Sequence, residues 1–229
     1  MSNRHLARTI ASLGSTLADI HLAGRDVRRR TLQTRWMWDR DAFELEEAEL
    51  RHALGRRGTL NPLEARMSAQ LEKKAKFVRE NQLIPYDFPV AYDHLLHGDF
   101  IYPNVFLGPD GEVSHVFDFE RASMGPRSFE LARSLLINCC DDGLDVRNIE
   151  QARVFLAAYR ERYPISFDEF MTGMQMFMIS CFHATWLEGN YLLYGLQSHV
   201  ALFESNARRI EILGADPVPF CREVWQAPA

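Results

Sequence analysis

The chain has 229 residues, 47% of them hydrophobic and 25% charged, which is enough to bury a sizeable core and too apolar for a disordered polypeptide. A formal net charge of −5 excludes the broad basic face that general nucleic-acid binding requires. The most apolar run, Phe170 to Leu187, contains Gln175, Ser180 and His183 and is too short and too polar to cross a membrane.

Leu6, Ile10, Leu13, Leu17 and Ile20 alternate steps of four and three, predicting a first helix with one apolar face that stops at Gly24. The basic run Arg25 to Arg30 then reads as a solvated loop. A second helix is expected from Asp39 or Asp41 to Gly55. The third opens with Asn61 as cap, Pro62 in the first turn and Glu64 three residues after the cap. Its buried stripe is Leu63, Met67, Leu71, Ala75 and Val78, with Glu72 and Lys76 paired on the solvent side. Lys73, Lys74 and Lys76 are read as solvated.

The texture changes after Pro85. Tyr86 to Pro89 is a loop, and His94-Leu95-Leu96 a short apolar run. Val105 to Leu107 and Val113 to Phe117, joined by Gly108-Pro109-Asp110-Gly111, predict a β-hairpin. Helices return after Pro126. Phe129, Ala132, Leu135 and Leu136 face a core, then Val146, Ile149, Ala152 and Leu156 line a helix capped by Asp145. Ser166 and Glu169 form a capping box for a Met-rich helix, and Asn190 opens a long final helix through Leu213, ended by Gly214. The fold class is mainly α with a small β-hairpin (α+β), one domain of three segments: 1–84, 85–125 and 126–229. Four cysteines without a Cys-x-x-Cys pair, and a start without an apolar leader, predict buried thiols in a cytoplasmic setting.

The chemistry concentrates in His97-Gly98-Asp99-Phe100-Ile101-Tyr102-Pro103-Asn104 and, after the hairpin, Asp118-Phe119-Glu120. A carboxylate, a carboxamide and a second acidic pair on two adjacent loops suit a Mg²⁺ ion and a phosphoryl acceptor. This pattern resembles the catalytic segment of the aminoglycoside phosphotransferase and choline kinase family, relatives of the protein kinases. The run Gly125 to Arg133 is similar to the family's segment after the metal acid, and Leu17 to His21 to the helix opening its C-terminal lobe.

The resemblance implies ATP as donor, Mg²⁺ (or Mn²⁺) as cofactor and a small-molecule hydroxyl as acceptor. It makes Asp99 the acceptor's base or orienting carboxylate, and Asn104 and Asp118 metal ligands. Glu120 would assist the metal or acceptor. His97 and Glu130, the latter where the family usually has Asp, would brace the loop. It also implies an N-terminal β lobe with a covering loop and a phosphate-pairing lysine, and nothing before Asp99 has that pattern. The chain therefore reads as a C-terminal helical lobe of the protein-kinase-like fold with its N-terminal β lobe absent. Its exposed face would take the missing lobe or a second copy.

Other readings compete. The lobe could serve as a non-catalytic binding or scaffold module. His97, Asp99 and His183 could form the facial triad of a non-haem iron oxygenase. Trp36, Trp38, Trp186 and Tyr194 could line a pocket for a cationic acceptor, and Asp141 and Asp142, in an acidic turn after a helix, could meet such an acceptor, although helix packing and a solvated turn account for them more simply. His115 is expected at the surface, and Met171, Met174, Met176 and Met178 in the core.

Overall fold

The computed structural model describes residues 3–25, 27, 37–140, 143–214 and 216–228. They group into two compact units, each discontinuous in sequence: Met1–Arg35 with Pro89–Phe177 and Asp216–Ala229, and Trp36–Phe88 with Met178–Ala215.

The first unit opens with α1 (Asn3–Gly24), whose apolar stripe buries Ile10, Leu13 and Leu17. It packs against α5 (Val146–Arg162) so closely that a Cβ on Gly14 would stand 2.2 Å from the Phe155 carbonyl oxygen. Strand β1 (His94–Leu96) pairs antiparallel with β4 (Ser123–Gly125), His94 opposite Gly125. The two close the base of the whole excursion 97–122. Inside it lies the expected hairpin, β2 (Val105–Leu107) and β3 (Val113–Val116), with Val105 opposite Val116 and a bulge at Phe106/Leu107. Gly111, at φ +85°, makes the turn between them. After β4, α4 (Arg127–Cys140) and α5 carry buried Leu131, Leu135, Leu136, Ala152 and Leu156. Asp145 caps α5 in a capping box with Asn148. The unit ends with α9 (Val218–Val224).

The second unit holds α2 (Arg40–Gly55), capped by Asp39, and α3 (Pro62–Glu80), with the expected Asn61–Glu64 capping box. It also holds α7 (Trp186–Leu192) and α8 (Val200–Leu213). Its core joins Leu50, Leu54, Met67, Leu71, Leu187, Leu192, Phe203 and Ala207. Helix α6 (Phe167–His183) runs through the division, with Met174, Met176 and Met178 buried. All four cysteines are buried and none is in a disulfide. No described helix is long and apolar enough to cross a membrane.

Several expectations are corrected. The long final helix is two helices: Asn190 lies inside α7, and the chain breaks at Gly195, φ +69°, before α8 begins. Lys74 is not solvated. It is fully buried, with its ammonium 2.7 and 2.9 Å from the two oxygens of an equally buried Glu188. Lys76 pairs with Glu80 and Glu72 with Arg51, so the expected Glu72–Lys76 pair does not form. Val146, at the first position of α5, is 87% exposed, because first-turn residues project beyond the packed stripe. Only half of the Ser166 box forms: Ser166 accepts from the Glu169 amide, while the Glu169 carboxylate is taken by Arg127. Trp38 is buried and donates to the Leu83 carbonyl, whereas Trp186 and Tyr194 are exposed. Trp36, Asp141 and Asp142 lie outside the described residues, as does most of the basic run. His115 is exposed.

Candidate active site

The loop from His97 to Asn104 leaves β1 at Gly98, and that glycine is required twice. Its φ is +82°, and a Cβ there would lie 2.2 Å from the carbonyl oxygen of Arg121. The close approach presses the loop against the turn 119–121 that follows Asp118.

Two further ties hold these loops together. His97 stands between them: Nδ1 accepts from the Asp99 amide at 3.2 Å and Nε2 donates to the Phe117 carbonyl at 2.9 Å. Phe119 packs on its ring, 4.3 Å between centroids. The Phe117 amide in turn donates to the Asn104 carbonyl at 3.1 Å. Asp118 therefore sits between two residues that are both anchored to the first loop. It is exposed, and with φ 67° and ψ 53° it is the non-glycine residue in left-handed backbone among those described. Glu120 is exposed one turn further on.

The Asn104 carboxamide donates from Nδ2 to the Asp99 carbonyl at 2.9 Å and to Asp99 Oδ2 at 3.3 Å. That leaves Oδ1 as the acceptor end. The Asn104 oxygen and the Asp118 carboxylate, which has no ion pair among the described residues, are the hard oxygens a Mg²⁺ ion would use. No cluster of three or more His, Cys, Asp and Glu side chains forms a metal cage among the described residues. Two protein oxygens nevertheless suit Mg²⁺, which keeps several waters.

Helix α4 supports the loop residue by residue. Glu130, 1% exposed, accepts from the amides of His97 at 2.9 Å and Gly98 at 2.5 Å. Arg133 donates to Asp99 Oδ1 at 2.5 Å. Asn138 donates to the Phe100 carbonyl and accepts from the Tyr102 amide at 2.7 Å. Behind Glu130, His21 Nε2 lies 2.9 Å from Oε2 and its Nδ1 lies 2.8 Å from the Tyr159 hydroxyl. Burial raises the Glu130 carboxyl, but the hydrogen bond and charge of His21 and the two amides outweigh it, so the group sits below its usual range.

Sequence reasoning passed over Arg133 and Asn138. The signal was helical spacing: Arg133 is three residues after Glu130, so both face the same loop. Nothing in the local sequence marked Tyr159. The iron reading loses its first ligand, because both His97 ring nitrogens are engaged by backbone. His183 bonds its own helix at the Ile179 carbonyl and is lowered by burial.

A helical scaffold that braces a carboxylate loop from behind and sets a hairpin beside it is the architecture of kinase-like phosphotransferases. The chain belongs to the phosphotransferase enzyme family, whose sequence model matches residues 1–165. Among solved structures it is similar to an aminoglycoside phosphotransferase from Alicyclobacillus acidocaldarius subsp. acidocaldarius. That match has 18% identity and a TM-score of 0.62, covering 97% of this chain and 68% of that one. It is also similar to an amicoumacin kinase solved with AMP-PNP and Ca²⁺, at 14% identity and TM-score 0.54, covering 92% of this chain and 61% of that one. At such identities the likeness shows the fold. The chain thus spans roughly two thirds of the first of these and less of the second. No curated protein sequence matches it.

Proposed function

We propose that this chain carries the acceptor and metal half of an ATP-dependent, Mg²⁺-assisted phosphoryl transfer to the hydroxyl of a small molecule. The observation that carries the reading is the double tie of Phe117, to Asn104 through its amide and to His97 through its carbonyl. It brings Asp118 alongside the loop of Asp99 and Asn104, as one shared site requires.

Asp99 is the group that meets the acceptor. Arg133 holds Oδ1, so Oδ2, with only the 3.3 Å contact from Asn104, is the freer oxygen. It aligns the acceptor hydroxyl and receives its proton as the hydroxyl oxygen bonds to the γ-phosphorus of ATP and the bond from that phosphorus to the bridging oxygen breaks, ADP leaving with the electron pair. Asn104 Oδ1 and Asp118 would hold the Mg²⁺, with Glu120 in reserve, and the ion would screen the charge of the moving phosphoryl group. His97 and Glu130 keep the loop in place. Phe106 and Phe117, both exposed and 4.8 Å apart between centroids, offer an apolar surface beside Asp118 for a nucleotide base. The nucleotide and divalent ion in the amicoumacin kinase agree with this donor.

The chain folds as a helical lobe, in a cytoplasmic setting, and turns over slowly unaided, because much of the donor's positioning belongs to a second lobe. The lobe's exposed face receives that lobe or another copy.

The test is a thermal melt with Mn²⁺ and ATP. Wild type should melt higher with both present, and Asp118→Ala should lose the rise. An unchanged wild-type melt would favour the scaffold reading.

A further inference from the structure

Helix α1 touches both halves of the site from opposite sides. On one side the Thr9 hydroxyl donates to the Gly111 carbonyl at 2.8 Å, and Ser12 Oγ accepts from the Val113 amide at 2.8 Å. Val113 starts the strand that ends beside Asp118. A Cβ on Gly111 would fall 2.6 Å from the His5 ring and 3.0 Å from the Thr9 hydroxyl, so the turn is seated directly on the helix. On the other side, fully buried His21 reaches Glu130, which holds the amides of His97 and Gly98. Nine residues separate Ser12 from His21, about 14 Å along the axis and about half a turn around it.

We infer that Ser12 and His21 are positioning residues, through which α1 sets the metal hairpin and the catalytic loop at a fixed spacing. The inference deepens the phosphotransfer reading and rests on it. A helix is stiff along its axis, so two contacts made from one helix fix the distance between the elements they hold. Neither residue touches a reacting group. Ser12 acts through Val113 and β3, His21 through Glu130. The Tyr159 hydroxyl, 2.8 Å from Nδ1, holds the far side of the same ring, so both His21 nitrogens are engaged and the imidazole is fixed against Glu130.

The experiment uses the full chain, isotope-labelled, with amide hydrogen exchange read residue by residue and Mn²⁺ binding read by water-proton relaxation. His21→Leu should speed exchange at His97 and Gly98 about tenfold, the scale of one lost hydrogen bond. Amides in the middle of α4 and α5 should keep their wild-type rates. His21→Gln, which retains a donor toward Glu130, should restore the loop rates. Ser12→Ala should speed exchange at Val113 and weaken Mn²⁺ binding about tenfold, and Ser12→Thr, which keeps the hydroxyl, should recover both. A uniform speed-up across the unit, or no recovery in the Gln and Thr variants, would show α1 to be mere scaffolding and overturn the inference. If wild type fails to bind Mn²⁺, the metal reading falls, while the exchange pattern still decides the positioning role.

Discussion

Lys74 and Glu188 face each other from α3 and α7 with neither side chain exposed, and the Lys74 ammonium also donates to the Ala184 carbonyl at 2.9 Å. Burial pushes the Glu188 carboxyl up, and Lys74 pulls it part of the way back. Removing one partner strands the other charge without water. Lys74→Ala should therefore destabilise the chain by about 3–5 kcal/mol, whereas Lys74→Met combined with Glu188→Leu should recover most of that loss. Urea unfolding of the single and double variants measures both.

Glu130 sets an acid limit on stability. Its folded-state carboxyl is lowered, so the unfolded chain binds the proton more readily. The stabilisation is then whole above the ordinary carboxylate range and is lost as pH falls through the folded value. Melting temperatures followed from about pH 7 to about pH 3 should fall less steeply in Glu130→Gln than in wild type. At neutral pH that variant should be the less stable of the two. Parallel curves would remove Glu130 as the source.

Asp118 holds left-handed backbone where a Cβ is unwelcome. Asp118→Gly should raise stability by up to about 1 kcal/mol, because glycine adopts that conformation without strain. The same change should abolish the Mn²⁺-dependent melting shift. A variant that is stabler yet blind to the ion is the signature of strain kept for function. Calorimetry with and without Mn²⁺ shows both effects together.

Arg133 and Asp99 are each about one fifth exposed, so solvent screens their ion pair. Arg133→Met should change stability by less than about 1 kcal/mol. On the proposed role of Asp99, phosphoryl transfer should fall at least about tenfold, because the carboxylate loses the contact that holds Oδ1. Equal losses of rate and stability would mean that Arg133 only holds the fold.

What could be read along the chain was whatever a few consecutive residues encode. The Asn61–Glu64 box and the Asp145 cap appear where short-range chemistry places them, and of the two starts expected for the second helix, Asp39 is its cap. The stripe Ile10, Leu13, Leu17 is buried as its spacing requires. The hairpin followed from turn residues at Gly108 to Gly111. The pairing of β1 with β4 was not legible, since each has only three residues and joins across the whole excursion between them. The break in the last helical stretch was not legible because the apolar pattern continues through Gly195, whereas the helix is interrupted by the positive φ of Gly195, the extended backbone of Leu196 and a short turn at Gln197–His199.

The sequence by itself determined the first three helices, the Asn61 and Asp145 caps and the hairpin, and it marked Asp99, Asn104 and Asp118 as the residues on which the proposed chemistry rests. Caps, turns and periodicity act within about one helical turn, so they survive being read in a line. The tertiary structure alone decided that Lys74 is buried, that Arg133 grips Asp99 and that His21 stands behind Glu130. Their partners lie 114, 34 and 109 residues away. Whether a charge meets water or a counter-charge at such separations depends on which helix faces are brought together, and that is a property of packing.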